Sequence, residues 1–306
     1  MVTVANFDGL IGSTHNYAGL SFGNLASFAN TGLISNPHAA ALQGLEKMKK
    51  MSDIGLFQGV LPPHQRPYLP MIRNLGFQGN DNEIFQSAWK HSPDLMVNFF
   101  SASSMWAANS ATVSPSSDCN DNRLHLTVAN MSEMFHRSME SSQTYRSLKK
   151  AFPFAKVHEA LFSHSFLADE GAANHVRLCG EKSKKGVELF VYGRDAYTKS
   201  NSVYPARQTY QASETITRNH GLEILRTVYA KQSERAINAG AFHNDVVCVG
   251  AMSTLFYHEL AFENTDKLQS DIRKSADGIF EPIFIEVKES EIPLQDAIES
   301  YLFNSM

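Results

Sequence analysis

The length, composition and charge of the chain describe a globular protein and exclude several functional classes. Its 306 residues, 43% of them hydrophobic, can bury a substantial core in one large domain or two ordinary ones. The formal net charge is -4, and acidic and basic residues are interspersed, so no basic stripe is present that would attract a phosphate backbone. Nucleic acid is therefore not expected as a partner.

Cysteine usage and the N-terminal residues point to the cytoplasm. Cys119, Cys179 and Cys248 are odd in number and widely spaced, without the CxxC pairs typical of zinc or redox sites, which fits a reducing compartment. The first residues, MVTVANFDGLIG, lack a basic segment followed by an apolar one. The longest apolar run, at residues 246–252, is too short to cross a bilayer. We therefore expect a cytoplasmic protein without a membrane partner.

Short apolar runs alternate with helix-like stretches along the chain, which predicts a mixed α/β protein. A helix is predicted from Pro37, because Asn36 is a good N-cap, proline suits the first turn and Gly55 follows the last basic residues. Further helices are predicted at residues 80–90, 141–151, 206–219, 227–239 and 294–303. Buried strands are predicted at residues 59–61, 124–129, 161–167, 187–192, 245–249 and 283–287.

The predicted organisation is a single continuous domain over residues 1–306. No Pro- or Ser-rich linker and no low-complexity tract divides the chain. Strand and helix pieces recur at intervals compatible with a repeated α/β unit. The last stretch, SYLFNS at residues 300–305, is followed by neither a capping residue nor a glycine, so we expect the chain to end within an element.

Two segments rich in small residues could form part of a site. Residues 17–24 combine two glycines with small polar residues and aromatics, and glycine lets the backbone approach a ligand closely. A tight turn between a strand and a helix is an equally good interpretation of this segment. Residues 103–112 place Trp106 and Asn109 among serines and alanines. That pattern leaves room for a ligand or, alternatively, forms a packed core segment in which the Trp106 ring provides bulk.

Two motifs carry arginines suited to a substrate with carboxylates. His136 and Arg137 end the segment HLTVANMSEMFHR, and Arg207 of the YPAR motif lies near the first turn of a predicted helix. The planar guanidinium of arginine matches a carboxylate with two parallel hydrogen bonds. The alternative is that both are surface arginines in weak ion pairs.

The strongest candidates for chemistry are two clusters of acid and imidazole groups at the ends of apolar runs. They are DEGAANH at residues 169–175 and FHNDV at residues 242–246. A histidine beside a carboxylate acts as general acid and base near neutral pH, and strand ends hold such groups rigidly. The alternatives are a buried, hydrogen-bonded His243 and capping acids at Asp169 and Glu170. A zinc site of His175, His243 and Asp245 is a further alternative, although their spacing matches no HExxH-type motif.

Taken together, these motifs resemble the N-succinylarginine dihydrolase family of guanidino-group-modifying enzymes. The resemblance runs from Asn6 to Ser305, in family order, through NFDGLIGSTHNYAGLSFGN, SNPHAAALQGLEKMK, PPHQRPYLPMIRNLGF, SSMWAANSATVSPSSD, HLTVANMSEMFHRSME, DEGAANH, LFVYGR, YPARQT, FHNDV and YLFNS. It implies a pentein-type α/β-propeller, in which ββαβ modules repeat around a pseudo-five-fold axis, incomplete here at the C-terminus. A homodimer is also implied.

The resemblance implies a reaction and a set of site residues. The family hydrolyses the guanidinium of N2-succinyl-L-arginine to N2-succinylornithine, ammonia and carbon dioxide in arginine catabolism, and no metal or organic cofactor is implied. Glu170 and His243 would be the catalytic acid–base residues. The residues that would contact substrate are Ala18, Gly19, Leu20, Ser21, Phe22, Gly23, Asn24, Leu25, Ala26, Ser27, Asn109, His136, Arg137, Arg207 and Asp245.

One part of the family pattern is not found in the sequence. The nucleophilic cysteine of the family lies in a glycine-rich motif after YLFNS, and none of Cys119, Cys179 and Cys248 has that context. The expectation is therefore a C-terminally truncated member that is inactive alone. The alternative is a non-catalytic module that binds succinylarginine or pairs with a separate C-terminal fragment as a split enzyme.

Overall fold

The computed structural model describes residues 4–17, 19–198 and 202–304, and it confirms the predicted α/β class. The strands are β1 (Ala5–Gly9), β2 (Phe57–Leu61), β3 (Ala111–Ser114), β4 (His125–Val128), β5 (Lys156–His158), β6 (His175–Leu178), β7 (Val187–Tyr192), β8 (Thr227–Lys231), β9 (Cys248–Ala251), β10 (Thr254–His258) and β11 (Ile283–Val287).

The helices lie between and around these strands. They are α1 (Leu25–Ala29), α2 (Pro37–Asp53), α3 (Leu69–Asn74), α4 (Asp81–His91), α5 (Pro93–Met96), α6 (Phe135–Ser138), α7 (Ser141–Ala151), α8 (Tyr210–His220), α9 (Glu234–Asn238), α10 (Thr265–Ala276) and α11 (Leu294–Ser300). In the described ranges, no helix has both the length and the apolar character needed to cross a membrane.

Three consecutive sheets share one topology. In each, the first two strands pair antiparallel, at least one helix follows, and the third strand pairs parallel with the second. The three sheets are β3–β4–β5, β6–β7–β8 and β9–β10–β11, and the helices α7, α8 and α10 precede their last strands. The predicted repeated unit is therefore present as a ββαβ arrangement. We call these the first repeat (residues 111–158), the second repeat (residues 175–231) and the third repeat (residues 248–287).

The N-terminal part of the chain forms a smaller sheet. Strands β1 and β2 pair parallel, and α2 connects them. The α2 helix begins as predicted, because the Asn36 side chain accepts the backbone N–H of Ala39 at 3.0 Å and Pro37 occupies the first turn. Across the described residues the four sheets remain separate, and none of them closes on itself.

The largest hydrophobic core joins the second and third repeats. The central strand β7 is buried along most of its length, as its sequence VELFVY, apolar except for Glu188, predicts. Leu189 and Val191 of β7 pack in one cluster with Leu255 of β10 and Ile272 of α10. A separate small cluster lies beneath the sheet of the first repeat and contains Leu126 and Val128 of β4. Each repeat thus contributes to a packed layer under its own sheet.

Several predicted elements agree with the structure and others are wrong. The strands predicted at 59–61, 124–129, 187–192 and 283–287 and the helices at 80–90 and 141–151 are confirmed within a few residues. Residues 161–167 do not form a strand, since only a 3-10 turn, Ser165–Leu167, lies there. The helix predicted at 227–239 is replaced by β8 and the short α9. The element predicted to continue through 300–305 instead ends at Ser300, where Tyr301 has a left-handed backbone with φ 53°.

The contact between β9 and β6 gives a test of how the repeats pack. A Cβ added to Gly250 of β9 would lie 2.2 Å from Val176 Cγ1 of β6. We expect Gly250→Ala to lower the free energy of unfolding by about 1–3 kcal/mol, as overpacking does in dense cores. Gly44→Ala is the matched control, because Gly44 lies within α2 and has open space around it. The control is expected to gain about 0.5–1 kcal/mol. Denaturant unfolding measures both, and equal effects would contradict the packing described.

Candidate active site

Glu170 and His243 occupy equivalent places just ahead of the second and third repeats. Glu170 immediately precedes the 3-10 helix Gly171–Asn174, which leads into β6, and His243 immediately precedes the 3-10 helix Asn244–Val246, which leads towards β9. The first repeat has a corresponding 3-10 helix, Ala107–Asn109, ahead of β3. The three short helices contact one another in this order. Residues far apart in sequence therefore converge where the repeats begin.

The two side chains form a hydrogen-bonded pair in the interior. Glu170 Oε2 lies 2.7 Å from His243 Nε2, and the side chains are 0% and 2% exposed. The main chain of Glu170 is fixed on both sides. Its N–H donates to Gln208 Oε1 at 2.8 Å, and its carbonyl accepts Asn109 Nδ2 at 3.1 Å. The structure thus brings together Glu170 and His243, the two residues that the family resemblance implies as the acid–base groups.

Two buried arginines lie beside this pair. Arg137 of α6 places Nη1 3.8 Å from Glu170 Oε2. Arg207 is 1% exposed, and its Nη2 donates to Ser21 Oγ at 3.2 Å and to the carbonyl of Phe22. The Arg207 guanidinium also lies 5.0 Å from the centre of the Phe242 ring, within range of a cation–π contact. The alternative of two surface arginines is therefore wrong.

The charges around the pair set its protonation near neutral pH. Burial favours a protonated Glu170, but the His243 hydrogen bond and the charges of His243, Arg207 and Arg137 outweigh it and lower the pKa to about 2. Burial lowers the pKa of His243 to about 4, although the hydrogen bond to Glu170 opposes this shift. Glu170 is therefore a carboxylate and His243 a neutral imidazole that donates Nε2–H to it. The Nδ1 atom of His243 is left as a proton acceptor.

Asp245 adds a second carboxyl group to the site. Its Oδ2 accepts Asn304 Nδ2 at 3.1 Å, and its Oδ1 is shielded from solvent although the residue as a whole is only partly buried. Burial raises the pKa of Asp245 to about 7, against smaller opposing effects of Asn304 and Arg137. The charge of this group therefore changes near neutral pH.

Charged atoms of both signs are buried in this region without a hydrogen-bond partner among the described residues. Two nitrogens of each arginine, Nε and Nη2 of Arg137 and Nε and Nη1 of Arg207, are buried in this way. Glu170 Oε1 and Asp245 Oδ1 are buried in the same way. A buried, unpaired charged group costs more free energy than a paired one. The arrangement is therefore suited to a ligand that carries both carboxylates and a cation.

The predicted substrate-binding segment at residues 19–27 reaches the site through part of its length. Ser21 and Phe22 contact Arg207, and Asn24 Oδ1 accepts the hydroxyl of Tyr301 at 3.2 Å. Gly19 and Gly23 have φ values of 66° and 84°, which glycine adopts readily. Ala26 and Ser27 make local contacts in α1 instead, since Ser27 N–H donates to Asn24 and the Ala26 carbonyl accepts from Asn30. Ala18 lies outside the described residues.

Some of the remaining predicted residues lie near the Glu170–His243 pair and others do not. His136 is 5% exposed, and burial together with the charges of Arg137 and Arg207 lowers its pKa to about 3. His175 pairs with Glu188 at 2.6 Å instead of joining His243, so the proposed His175–His243–Asp245 zinc set is not brought together. Trp106 is 56% exposed, so its interpretation as core bulk is wrong.

Three residues that the sequence did not single out support the site. Gln208 bonds both the Glu170 N–H and the Asp169 carboxylate, and it directly follows Arg207 in the YPARQT motif. Asn304, within YLFNS, contacts Asp245. Glu140 is 1% exposed, and burial outweighs the neighbouring Arg137 to raise its pKa. The motif containing Gln208 was a usable signal, whereas the contact of Asn304 depends on tertiary structure.

All three cysteines are buried. Cys248 opens β9 shortly after His243, is 1% exposed and packs in the core of the second and third repeats. Burial raises the pKa of the Cys248 thiol, and that of Cys119, to about 12. The expectation that the chain lacks a cysteine for the reaction is not supported, because Cys248 is present next to the His243–Asp245 segment.

Solved structures define the class of fold. The chain is similar to apo ArgZ, an arginine dihydrolase from the ornithine–ammonia cycle in cyanobacteria, with a TM-score of 0.59 and 14% identity over 98% of this chain and 33% of that one. It is also similar to the N-terminal domain of ArgZ bound to product, with a TM-score of 0.57 and 13% identity over 98% of this chain and 78% of that one. The fold is that of arginine dihydrolases.

Sequence comparison then gives the particular family. The family model for succinylarginine dihydrolase matches residues 2–306, so the chain belongs to the succinylarginine dihydrolase family. Similar relatives include N-succinylarginine dihydrolase 2 of Caulobacter vibrioides, 52% identical over 98% of this chain and 68% of the relative. The N-succinylarginine dihydrolase of Marinobacter nauticus is 51% identical over 98% of this chain and 69% of its own length. Neither comparison supports a non-catalytic or split-enzyme module.

Proposed function

We propose that the protein hydrolyses the guanidinium group of N2-succinyl-L-arginine, giving N2-succinylornithine, ammonia and carbon dioxide. One observation carries the proposal: buried and unpaired atoms of Arg137, Arg207 and Asp245 lie near the Glu170–His243 pair, in which Glu170 Oε1 is also unpaired. N2-succinyl-L-arginine has two carboxylates and one guanidinium, so it offers partners of the required sign to each of these groups. Membership of the succinylarginine dihydrolase family supports the same substrate.

In the proposed complex, the arginines bind the carboxylates and the acids bind the guanidinium. Arg137 and Arg207 retain free N–H groups for carboxylate oxygens, while Glu170 Oε1 and Asp245 Oδ1 can each accept guanidinium N–H groups. Ser21, Phe22 and Asn24 would cover the ligand, and Asn109 and His136 would line its other side. The other residues proposed to contact the substrate are Ala18, Gly19, Leu20, Gly23, Leu25, Ala26 and Ser27.

His243 is proposed to move the protons of the reaction. Attack of a thiolate on the guanidinium carbon gives a tetrahedral adduct, and loss of ammonia from that adduct requires one proton. His243 first accepts the thiol proton on Nδ1, passes that proton to the departing ammonia, and then removes a proton from the water that displaces the thiolate. A second cycle releases the second nitrogen as ammonia and frees the ornithine amine and carbon dioxide. Glu170 holds the ring through Nε2 and stabilises the imidazolium that forms in each cycle.

Substitution of Cys248 tests which thiol attacks the guanidinium carbon. In its present environment the Cys248 thiol has a pKa of about 12 and lies among core residues. We expect Cys248→Ala to leave the affinity for N2-succinyl-L-arginine unchanged, and Cys119→Ala, with a thiol of the same raised pKa, is the matched control. Ammonia release that disappears only in Cys248→Ala, with binding intact, would assign the nucleophile. Equal ammonia release in both variants would exclude Cys248.

The experiment that tests the proposed substrate compares three ligands by calorimetric titration. N2-succinyl-L-arginine should bind most tightly. L-arginine lacks the succinyl carboxylate and N2-succinylornithine lacks the guanidinium, so each should bind roughly 10- to 100-fold more weakly, as expected for one lost charge-assisted interaction of about 1.5–3 kcal/mol. Equal affinity for all three would overturn the proposal. Binding without ammonia release would instead favour the alternative of a binding or split-enzyme module.

We also propose an arrangement of the whole chain. Three ββαβ repeats whose leading 3-10 helices meet at one site support a single domain with repeats around a pseudo-five-fold axis, the pentein-type propeller. The family resemblance supports a cytoplasmic homodimer. Sedimentation equilibrium tests the dimer, and a single cooperative unfolding transition tests the single domain.

A further inference from the structure

The sheet of the first repeat has one polar face in the protein interior. The register pairs Ser114 of β3 with His125 of β4, and Thr127 of β4 with His158 of β5. Because side chains alternate along a strand and paired residues share a face, these four side chains lie on the same side of the sheet. Their alternating neighbours include apolar residues of the cluster beneath the opposite face. This interior face of the sheet therefore carries a polar patch, where apolar side chains would be usual.

Helix α8 of the second repeat covers this patch with another histidine. His220 is 0% exposed and is the last residue of α8. Its Nδ1 lies 2.8 Å from Ser114 Oγ, and its Nε2 lies 2.7 Å from Thr127 Oγ1. The ring centre of His220 is 5.2 Å from that of His125 and 5.4 Å from that of His158. Three imidazoles therefore meet where the first and second repeats pack together.

The ring nitrogens of the three histidines are arranged like a set of metal ligands. One nitrogen from each ring lies within 4.8 Å of the other two, and His158 Nε2 is 3.0 Å from His125 Nδ1. Tetrahedral zinc with Zn–N distances of about 2.0–2.1 Å places two ligand nitrogens about 3.3 Å apart. This geometry requires rotation of the rings, and the metal would replace one of the two hydroxyl contacts of His220. Among the described residues, no other group of three or more acid, thiol and imidazole side chains brings its ligand atoms this close together.

A carboxylate outside the cluster orients one of the rings. Asp121 Oδ1 and Oδ2 lie 3.0 and 3.1 Å from His125 Nε2. This contact holds the His125 proton on Nε2 and leaves the Nδ1 lone pair directed towards the other two rings. A carboxylate on the far nitrogen of a metal-bound histidine is a recurrent arrangement in zinc proteins. Lys156 Nζ lies 3.7 Å from Asp121 Oδ2, so the same carboxylate also pairs with a cation.

Helix α8 adds a favourable field for a cation at this cluster. The carboxyl end of α8, where His220 lies, presents the negative end of the helix dipole.

We propose that His125, His158 and His220 bind one divalent transition-metal ion, best matched by zinc, which joins the sheet of the first repeat to helix α8 of the second. Three imidazoles suit zinc, copper and nickel, and a fourth ligand position is reached from solvent beside the partly exposed His158. The site lies apart from the Glu170–His243 pair and does not depend on the proposed reaction. Metal binding is expected to stabilise the packing of the first repeat against the second.

Zinc binding to chelator-treated protein tests the proposal. We expect calorimetry to give one zinc ion per chain and zinc to raise the Tm. His158→Gln should weaken zinc binding at least about 100-fold, which is more than the usual effect of losing a residue that only hydrogen-bonds to a metal ligand. His158 is partly exposed, so this variant keeps the core intact. The matched control is His91→Gln, an exposed histidine at the end of α4, which should bind zinc like the parent.

A second variant distinguishes a metal site from a purely hydrogen-bonded histidine cluster. Asp121→Asn keeps a hydrogen-bond partner for His125 but removes the charge, and we expect zinc affinity to fall about 10- to 100-fold. Cobalt bound to the parent should show the visible absorption of a tetrahedral nitrogen site, absent in His158→Gln. Failure of the parent to bind zinc, or zinc binding that is equal in His158→Gln and His91→Gln, would overturn the proposal.

Discussion

Replacing Glu170 with glutamine is expected to weaken binding of N2-succinyl-L-arginine about 10- to 100-fold, the effect of one lost charge-assisted hydrogen bond. Turnover should fall further, by about 10²- to 10⁴-fold, which is the usual contribution of general acid–base catalysis. The physical reason is that Glu170 currently raises the proton affinity of His243 and balances Arg137 and Arg207. A neutral amide does neither. Calorimetric titration and ammonia release measure the two effects separately.

The second repeat contains a matched control for this variant. Glu188 and His175 form another interior pair, with Glu188 Oε2 2.6 Å from His175 Nε2 and side chains 1% and 5% exposed. Glu188→Gln makes the same substitution in a similarly buried Glu–His pair, although burial raises the pKa of Glu188 and so favours its neutral form. Ligand affinity should be unchanged in the control. If both variants lost affinity equally, the effect would come from general destabilisation and not from the site.

Local sequence signals predicted the elements that local physics determines. The helix from Pro37 has its cap and its first-turn proline within a few residues, and β7 is an apolar run interrupted only by Glu188. The strand β8, residues TVYAK, was open to a helical interpretation because its sequence alternates weakly and a short helix follows. Its state is fixed by parallel pairing with β7, a contact across dozens of residues. Such pairing leaves little trace in the strand itself.

The site shows the same division between local and long-range information. The clusters around Glu170 and His243 were visible because each motif carries acid and imidazole groups together. That they meet at 2.7 Å follows from the repeat, which brings the starts of successive sheets together. The three-histidine cluster had no motif, since His125, His158 and His220 are far apart in sequence. Strand register places His125 and His158 on one face, and the packing of α8 adds His220.

The affinity for N2-succinyl-L-arginine is expected to fall as the pH drops below 7, because Asp245 loses its charge. Burial raises the pKa of Asp245 from 3.8 to about 7. Below that pH the free protein holds a neutral carboxyl, which no longer attracts a guanidinium. Each pH unit below 7 should then weaken binding by up to about tenfold, the limit for one proton that must leave before the ligand binds. Above about pH 8 the affinity should be constant.

Two variants decide whether Asp245 is the group responsible for this pH dependence. Asp245→Asn cannot ionise, so its affinity should be low at pH 8 and nearly flat from pH 8 to pH 5.5. Asp169→Asn is the control, because burial also raises the pKa of Asp169 to about 7, but its Oδ1 is bonded inside the protein to Gln208 and the Gly171 N–H. That variant should keep the pH dependence of the parent. Titrations at fixed ionic strength measure the slopes, and the same slope in Asp245→Asn as in the parent would show that a different group binds the guanidinium.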